Sequence, residues 1–461
     1  MMSFYSNKSK NLNLSFLGTN LWSLLLILFL GSSIAHLRAL ESGSGDANSK
    51  PKLSRIEKII NTGDLVKLGA ILQAHQGASE QNIRELEFGL IKAIKSEHPR
   101  ALAMVQMLLH SAGLNLNNIR DSSRHGVLSI ACASNGAQAL EIVALLLDGG
   151  ATLKVGTFMT TAVSLNNQAP EIMELLISRG GADLKAMLDT KNRKGETALM
   201  LASQSLNARA SEIANMLLAA GAELHLMDQG NWTPLMLAAA SQSVAAPKIV
   251  DLLLAYGEDR YVNQVNINGH TALMLAASSK SVHAVPIVAQ LVQVPGIDID
   301  VANRCGYTAL FLAVMAGNAN ATELVYQLLA AGSNPDVMVN NTVVLDFAIK
   351  SANLAMVLTL LEHGASPYSS SKLVNRLITD YQGEVYYKPE AIGKVRHDIA
   401  LAILNKRAEL QATKLAADAS KRQLKDKAEP ERKRRRNDGG DDTGGAGAGD
   451  GSGSGVRSVI V

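Results

Sequence analysis

The chain has 461 residues, 47% of them apolar, which is enough to enclose several packed units and excludes disorder throughout. Only 2 Trp, 9 Tyr and 7 Phe stand among abundant Ala and Leu, a composition that argues against a β-rich fold. The 44 basic and 41 acidic residues leave a net charge of +3, too little for nucleic-acid binding by overall charge, and the two cysteines, Cys132 and Cys305, supply neither a disulfide framework nor a zinc cluster.

Residues 1–20 are polar and carry Lys8 and Lys10 without an acid, and Leu21 to Leu30 is an almost unbroken apolar run that ends in Gly31, Ser32, Ser33, Ile34 and Ala35. Charge, apolar core and small residues in that order read as a secretory signal peptide over residues 1–39, with cleavage after Ala35 or Ala39. The rival reading is a retained membrane anchor at residues 21–35, against which stands the length of the run, about 15 residues where a spanning helix needs about 20. Residues 40–52, with Gly, Ser, Asp and Pro51, form a flexible linker.

Residues 53–119 carry a two-helix rhythm over Ile56 to Ala74 and Phe88 to Asn117, expected as degenerate capping repeats. Over residues 120–368 one phrase then recurs: Thr197-Ala-Leu-Met-Leu-Ala202, Thr233-Pro-Leu-Met-Leu-Ala238, Thr271-Ala-Leu-Met-Leu-Ala276 and Thr308-Ala-Leu-Phe-Leu-Ala313, with the threonines 36, 38 and 37 residues apart. A second apolar run follows each phrase, and Gly221, Gly257 or Gly332 closes three of the four, the pattern of a helix with a left-handed cap. Weaker copies occupy Gly126 to Ala151, Met159 to Ala182 and Asn341 to Ala365. The whole predicts about eight or nine helix pairs. No pair can enclose its own apolar face, so the pairs must stack into a solenoid.

The stretch Thr233-Pro-Leu-Met-Leu-Ala-Ala239, with a later Leu-Leu and Gly221-Ala222 or its like, resembles the ankyrin repeat family. The resemblance implies an all-α solenoid with short hairpin loops and a concave groove that contacts a partner protein. Met200, Met236, Met274 and Phe311 replace the usual His, and three extra residues separate the helices of these four units. Asp228 opens one hairpin, and Asn192, Asn266 and Asn303 stand in its place elsewhere, able to make the same side-chain turn bond.

The methionine stripe reads as packing, Cys132 as a buried thiol and Cys305 as an exposed one at a hairpin tip. The ten histidines are scattered, no nucleophile elbow is present, and the glycines of 444–455 follow no strand, so no catalytic residue, cofactor or metal site is expected. The position before the repeated Thr holds four unlike residues, Glu196, Trp232, His270 and Tyr307, on an otherwise constant frame. By the resemblance this position faces the groove, beside the tip residues Arg193, Lys194, Gln229 and Arg304. Variable side chains on a fixed scaffold are what recognition needs, so these eight are the expected partner-binding residues.

Residues 369–427 are expected to cap the stack and continue as a basic helix, and 428–461 to be a disordered tail, basic and then rich in Gly and Asp. Residues 405–436 hold 12 basic and 5 acidic side chains and end in Arg432, Lys433, Arg434, Arg435 and Arg436. The sequence therefore predicts an exported, non-enzymatic protein-binding scaffold. The alternatives are a membrane-anchored scaffold, or an adaptor that touches nucleic acid or anionic lipid through the basic tail.

Overall fold

The computed structural model describes residues 55–74, 80–110, 114–257, 261–317, 319–340, 342–368, 378 and 394–437. The expected signal segment 1–39, the linker 40–52 and the Gly/Asp-rich end of the tail lie outside these residues, as do the side chains of Arg432, Lys433, Arg434, Arg435 and Arg436.

Twenty α-helices occur among the described residues. In chain order they are α1 (Arg55–Thr62), α2 (Leu65–Ala74), α3 (Glu80–Ile94), α4 (Ala101–His110), α5 (Val127–Cys132), α6 (Ala139–Asp148), α7 (Val155–Val163), α8 (Ala169–Ser178), α9 (Leu184–Asp189) and α10 (Ala198–Ser203). They continue as α11 (Ala210–Ala219), α12 (Pro234–Ala240), α13 (Ala246–Tyr256), α14 (Ala272–Ser278), α15 (Ala284–Leu291), α16 (Ala309–Ala316), α17 (Ala321–Ala330), α18 (Val344–Lys350), α19 (Leu354–Glu362) and α20 (Lys394–Asn437). First helices pack on first helices along the series α1, α3, α5, α7, α10, α12, α14, α16, α18. Second helices pack on second helices from α2 through α19, where α20 joins them. The result is two layers that share one continuous apolar core.

The first helices are short because their signals are local. Thr197, Thr233, Thr271 and Thr308 each take an extended backbone and accept a hydrogen bond from the N–H three residues on, at 3.2–3.3 Å. The third, fourth and sixth residues of each phrase are buried, so Met200, Met236, Met274 and Phe311 are core, as the sequence predicts. The second helices bury one stripe each, as α11 does with Ala210, Ile213, Ala214, Leu217 and Leu218.

Hairpins enter the first helices by a recurring device. The side-chain oxygen of Asn192, Asp228, Asn266 or Asn303 accepts the N–H groups two and four residues later, at 2.7–3.0 Å. Asn does replace Asp here as expected. Asp121 makes the same pair of bonds to Ser123 and His125, so this feature, read from sequence only as far back as Asn192, begins one hairpin earlier. Successive tips also bond through the backbone: Gln229 N–H to Lys194 O, Ile267 N–H to Gly230 O and Arg304 N–H to Asn268 O, at 3.0–3.2 Å.

Between the two helices of a unit lies a second polar ladder. Buried Asn207 donates from Nδ2 to Ser164 O at 2.7 Å and Asn166 O at 3.0 Å, and Asn166 donates to Ser134 O at 2.6 Å. In the unit of Asn207 the extra residues expected between the helices thus form a turn bonded to the preceding unit. Arg209 adds a cross-unit pair, reaching Glu171 at 2.7 Å and Glu212 at 2.6 Å.

Three expectations need correction. The fold is not entirely α: Met338–Val339 (β1) pairs antiparallel with Thr342–Val343 (β2) in front of α18. Residues 428–437, expected within a disordered tail, continue α20, and residues 184–189, which no copy of the phrase covers, form α9, where Leu184, Met187 and Leu188 recur at helical spacing and Leu188 reaches the core. Gly257 is extended, with φ −92°, where Gly221 and Gly332 are left-handed at +86° and +96°. It serves a different purpose: a Cβ there would run into the ring and hydroxyl of Tyr261.

Two glycines separate the cost of backbone strain from the cost of crowding. Gly221 has φ +86° and open space about it; Gly269 has φ +78°, and a Cβ on it would stand 2.9 Å from the Arg304 backbone nitrogen. Gly221→Ala is expected to lower stability by about 1 kcal/mol and Gly269→Ala by about 2–3 kcal/mol, read from urea denaturation midpoints.

Candidate partner-binding surface

Glu196, Trp232, His270 and Tyr307 occupy one register position. Each donates its backbone N–H to the side-chain oxygen that brackets its hairpin, at 2.8–3.0 Å, and each immediately precedes a capping threonine. All four are half-buried. Arg193, Gln229 and Arg304 share a second register position, one residue past the bracketing side chain, and Lys194 follows Arg193; these four are exposed. The structure therefore brings all eight expected residues to successive hairpin tips and hairpin-to-helix junctions.

Their surroundings divide them. Glu196 is held by Asn192 Nδ2 at 2.9 Å and by Gln204 Nε2 at 3.1 Å, and Gln229 donates from Nε2 to Arg193 O at 2.9 Å. These two are spent on the scaffold. The Trp232 indole, expected to be exposed, lies over its own hairpin: a Cβ on Gly230 would come 2.8 Å from its Cδ1, so that glycine makes the room. Tyr307 stacks on Phe311 with ring centroids 4.9 Å apart and planes 4° apart, which fixes the half-buried ring. No ion pair holds Arg193, Lys194 or Arg304 among the described residues.

Sequence reasoning missed the floor of this surface. Leu201, Leu237, Leu275 and Leu312, the fifth residues of the four phrases, are only half-buried, whereas the residues before and after each are buried. The signal was present: with the third, fourth and sixth positions buried, the fifth falls at the edge of the apolar face, and Leu201, Leu275 and Leu312 keep one side against the core. A second apolar row lies at the opposite end of the first helices, in the turns, where Leu165, Leu206, Val244 and Val282 are 61%, 62%, 62% and 73% exposed. Among the described residues no group of three or more His, Cys, Asp or Glu side chains is placed to hold a metal ion.

A family model described as ankyrin repeats in three copies matches residues 128–228, 205–303 and 280–371, together more than half of the chain. The chain belongs to the ankyrin repeat family. Solved structures of similar proteins include an ankyrin repeat domain from Acinetobacter baumannii AYE, 28% identical with a TM-score of 0.38 over 45% of this chain and 97% of that one. Another is the ankyrin repeat protein EF0377, 24% identical with a TM-score of 0.39 over 45% of this chain and 98% of that one. No curated protein matches the sequence. Ankyrin repeats are in general modules of protein interaction, and the surface described above is the one this ankyrin stack leaves open along its first helices.

Two titratable groups give measurable consequences. Burial pushes the Cys132 thiol up to about 12, against a weaker opposing bond from Thr161, while Cys305 is exposed at its tip. A thiol reagent at neutral pH is expected to modify Cys305 alone in the folded protein and both cysteines after denaturation, with the sites read by peptide mass. Burial also holds the His270 imidazole below its ordinary value. The unfolded chain then binds its proton more readily, so stability falls as pH drops below about 6.5 toward the lowered native value. His270→Gln is expected to flatten that slope in denaturation curves taken across the range.

Proposed function

We propose that this ankyrin chain is a non-enzymatic scaffold that holds a partner protein along its first helices and hairpin tips. The carrying observation is the row of half-buried leucines, Leu201, Leu237, Leu275 and Leu312, beside four unlike residues on a constant frame. An apolar floor that recurs at every unit serves contact area, and the changing Trp232, His270 and Tyr307 serve selectivity. The other readings find less support. No helix among the described residues is long and apolar enough to cross a membrane. The proposed anchor at 21–35 and the side chains of Arg432, Lys433, Arg434, Arg435 and Arg436 lie outside what is described.

Affinity capture with the full chain, set against Trp232→Ala, Leu237→Arg and Arg304→Ala baits, tests the reading. The captured partner is expected to lose about 2 kcal/mol of affinity on Trp232→Ala, measured by calorimetry, with circular dichroism unchanged. Equal capture by all four baits would refute it.

A further inference from the structure

The open face is polarised across its width. The first helices α5, α7, α10, α12, α14 and α16 contain no Asp, Glu, Lys or Arg. One lip, along the inter-helix turns, is aliphatic through Leu165, Leu206, Val244 and Val282. The other lip, at the hairpin tips, is cationic at three hairpins through the exposed Arg124, Arg193, Lys194 and Arg304, whereas the tips bracketed by Asp228 and Asn266 carry no Lys or Arg. Asp121 and Asp228 are bonded to backbone N–H groups, Asp121 also to Lys95 at 3.0 Å, and Glu196 is held by Asn192 and Gln204. On the second helices the sign reverses. From α6 to α19 they carry Glu141, Asp148, Glu171, Glu174, Glu212, Asp251, Glu323 and Glu362 against a single cation, Lys248.

The row of hairpins is interrupted once, and beside that gap the positive charge is densest. Only Thr152, Leu153 and Lys154 separate Ala151 from α7, so this unit has no hairpin to lay against the one bracketed by Asp121. The space left is a cavity of about 220 Å³ lined by Arg120, Arg124, His125 and Lys154, together with Ser129 and Thr157, whose hydroxyl donates to Lys154 O.

We infer that the groove takes an acidic amphipathic helix of a partner protein, with its apolar side on the leucine floor and the aliphatic lip and its acidic side along the hairpins. Its most acidic end lies over the cavity. The inference rests on the scaffold reading and adds the chemistry of the partner. Charge complementarity sets the orientation, because an acidic segment is attracted by the hairpin lip and repelled by the second helices. Spacing suits a helix: packed first helices are about 10 Å apart, and seven residues of α-helix advance about 10.5 Å, so one apolar side chain per heptad meets one leucine per unit.

The test uses the full chain and two synthetic peptides of about three heptads, alike in their leucine face and carrying glutamate or lysine on the flank. Binding is followed by fluorescence anisotropy. The glutamate peptide is expected to bind, to weaken about tenfold between low and near-molar salt, and to compete with the captured partner. The pairs Arg193→Glu with Arg304→Glu and Arg124→Glu with Lys154→Glu are each expected to weaken it about tenfold and to flatten its salt dependence, with circular dichroism unchanged. Equal or tighter binding of the lysine peptide, or indifference to both charge pairs, overturns the acidic occupant. Partner capture that needs Trp232 and Leu237 while the glutamate peptide neither binds nor competes also overturns it, and leaves the scaffold reading standing. Capture indifferent to the groove variants overturns both.

Discussion

Each hairpin of this stack hangs on one side-chain oxygen that accepts two backbone N–H groups. Asp121, Asn192, Asp228, Asn266 and Asn303 all do this, and the second N–H in each case belongs to the residue just before the first helix's N-cap. In four of the five a threonine follows at once and caps the first helix. Two consecutive local devices therefore fix both the height of the hairpin and the start of the helix. Neither device requires a particular side chain at the position between them, which is why it can differ from unit to unit, as Glu196 bonded to Asn192 and Tyr307 stacked on Phe311 do.

The polar ladders and the apolar core divide the work of holding units together. The core supplies the non-directional attraction, and it would tolerate a helix sliding along its neighbour. Asn207 on the carbonyls of Ser164 and Asn166, and Arg304 N–H on Asn268 O, permit one register only, because a slip would leave buried polar groups unpaired. Since each unit touches only its neighbours, a local defect is felt mainly by the adjacent interfaces.

The phrase from Thr197 to Ala202 and its copies made the helix pairs, the caps and the methionine core legible, because those depend on residues close in sequence. Asn as a substitute for Asp in the hairpins was legible for the same reason. The bonds of Asn166 and Asn207 reach about one unit back along the chain and leave no local signal in a sequence rich in Asn and Ser. Trp232 misled because its exposure depends on Gly230, two residues away, whose missing side chain gives the indole a place to lie. The leucine floor was hidden by its regularity: a residue that recurs with the core reads as core until the turn of the helix is followed residue by residue.

The absent hairpin before α7 also bears on alignment. A surface that repeats every unit offers a repeating ligand several nearly equivalent seats, displaced from one another by one step along the stack. The single break at Thr152 to Lys154 removes that translational degeneracy, giving an otherwise periodic ruler its zero mark.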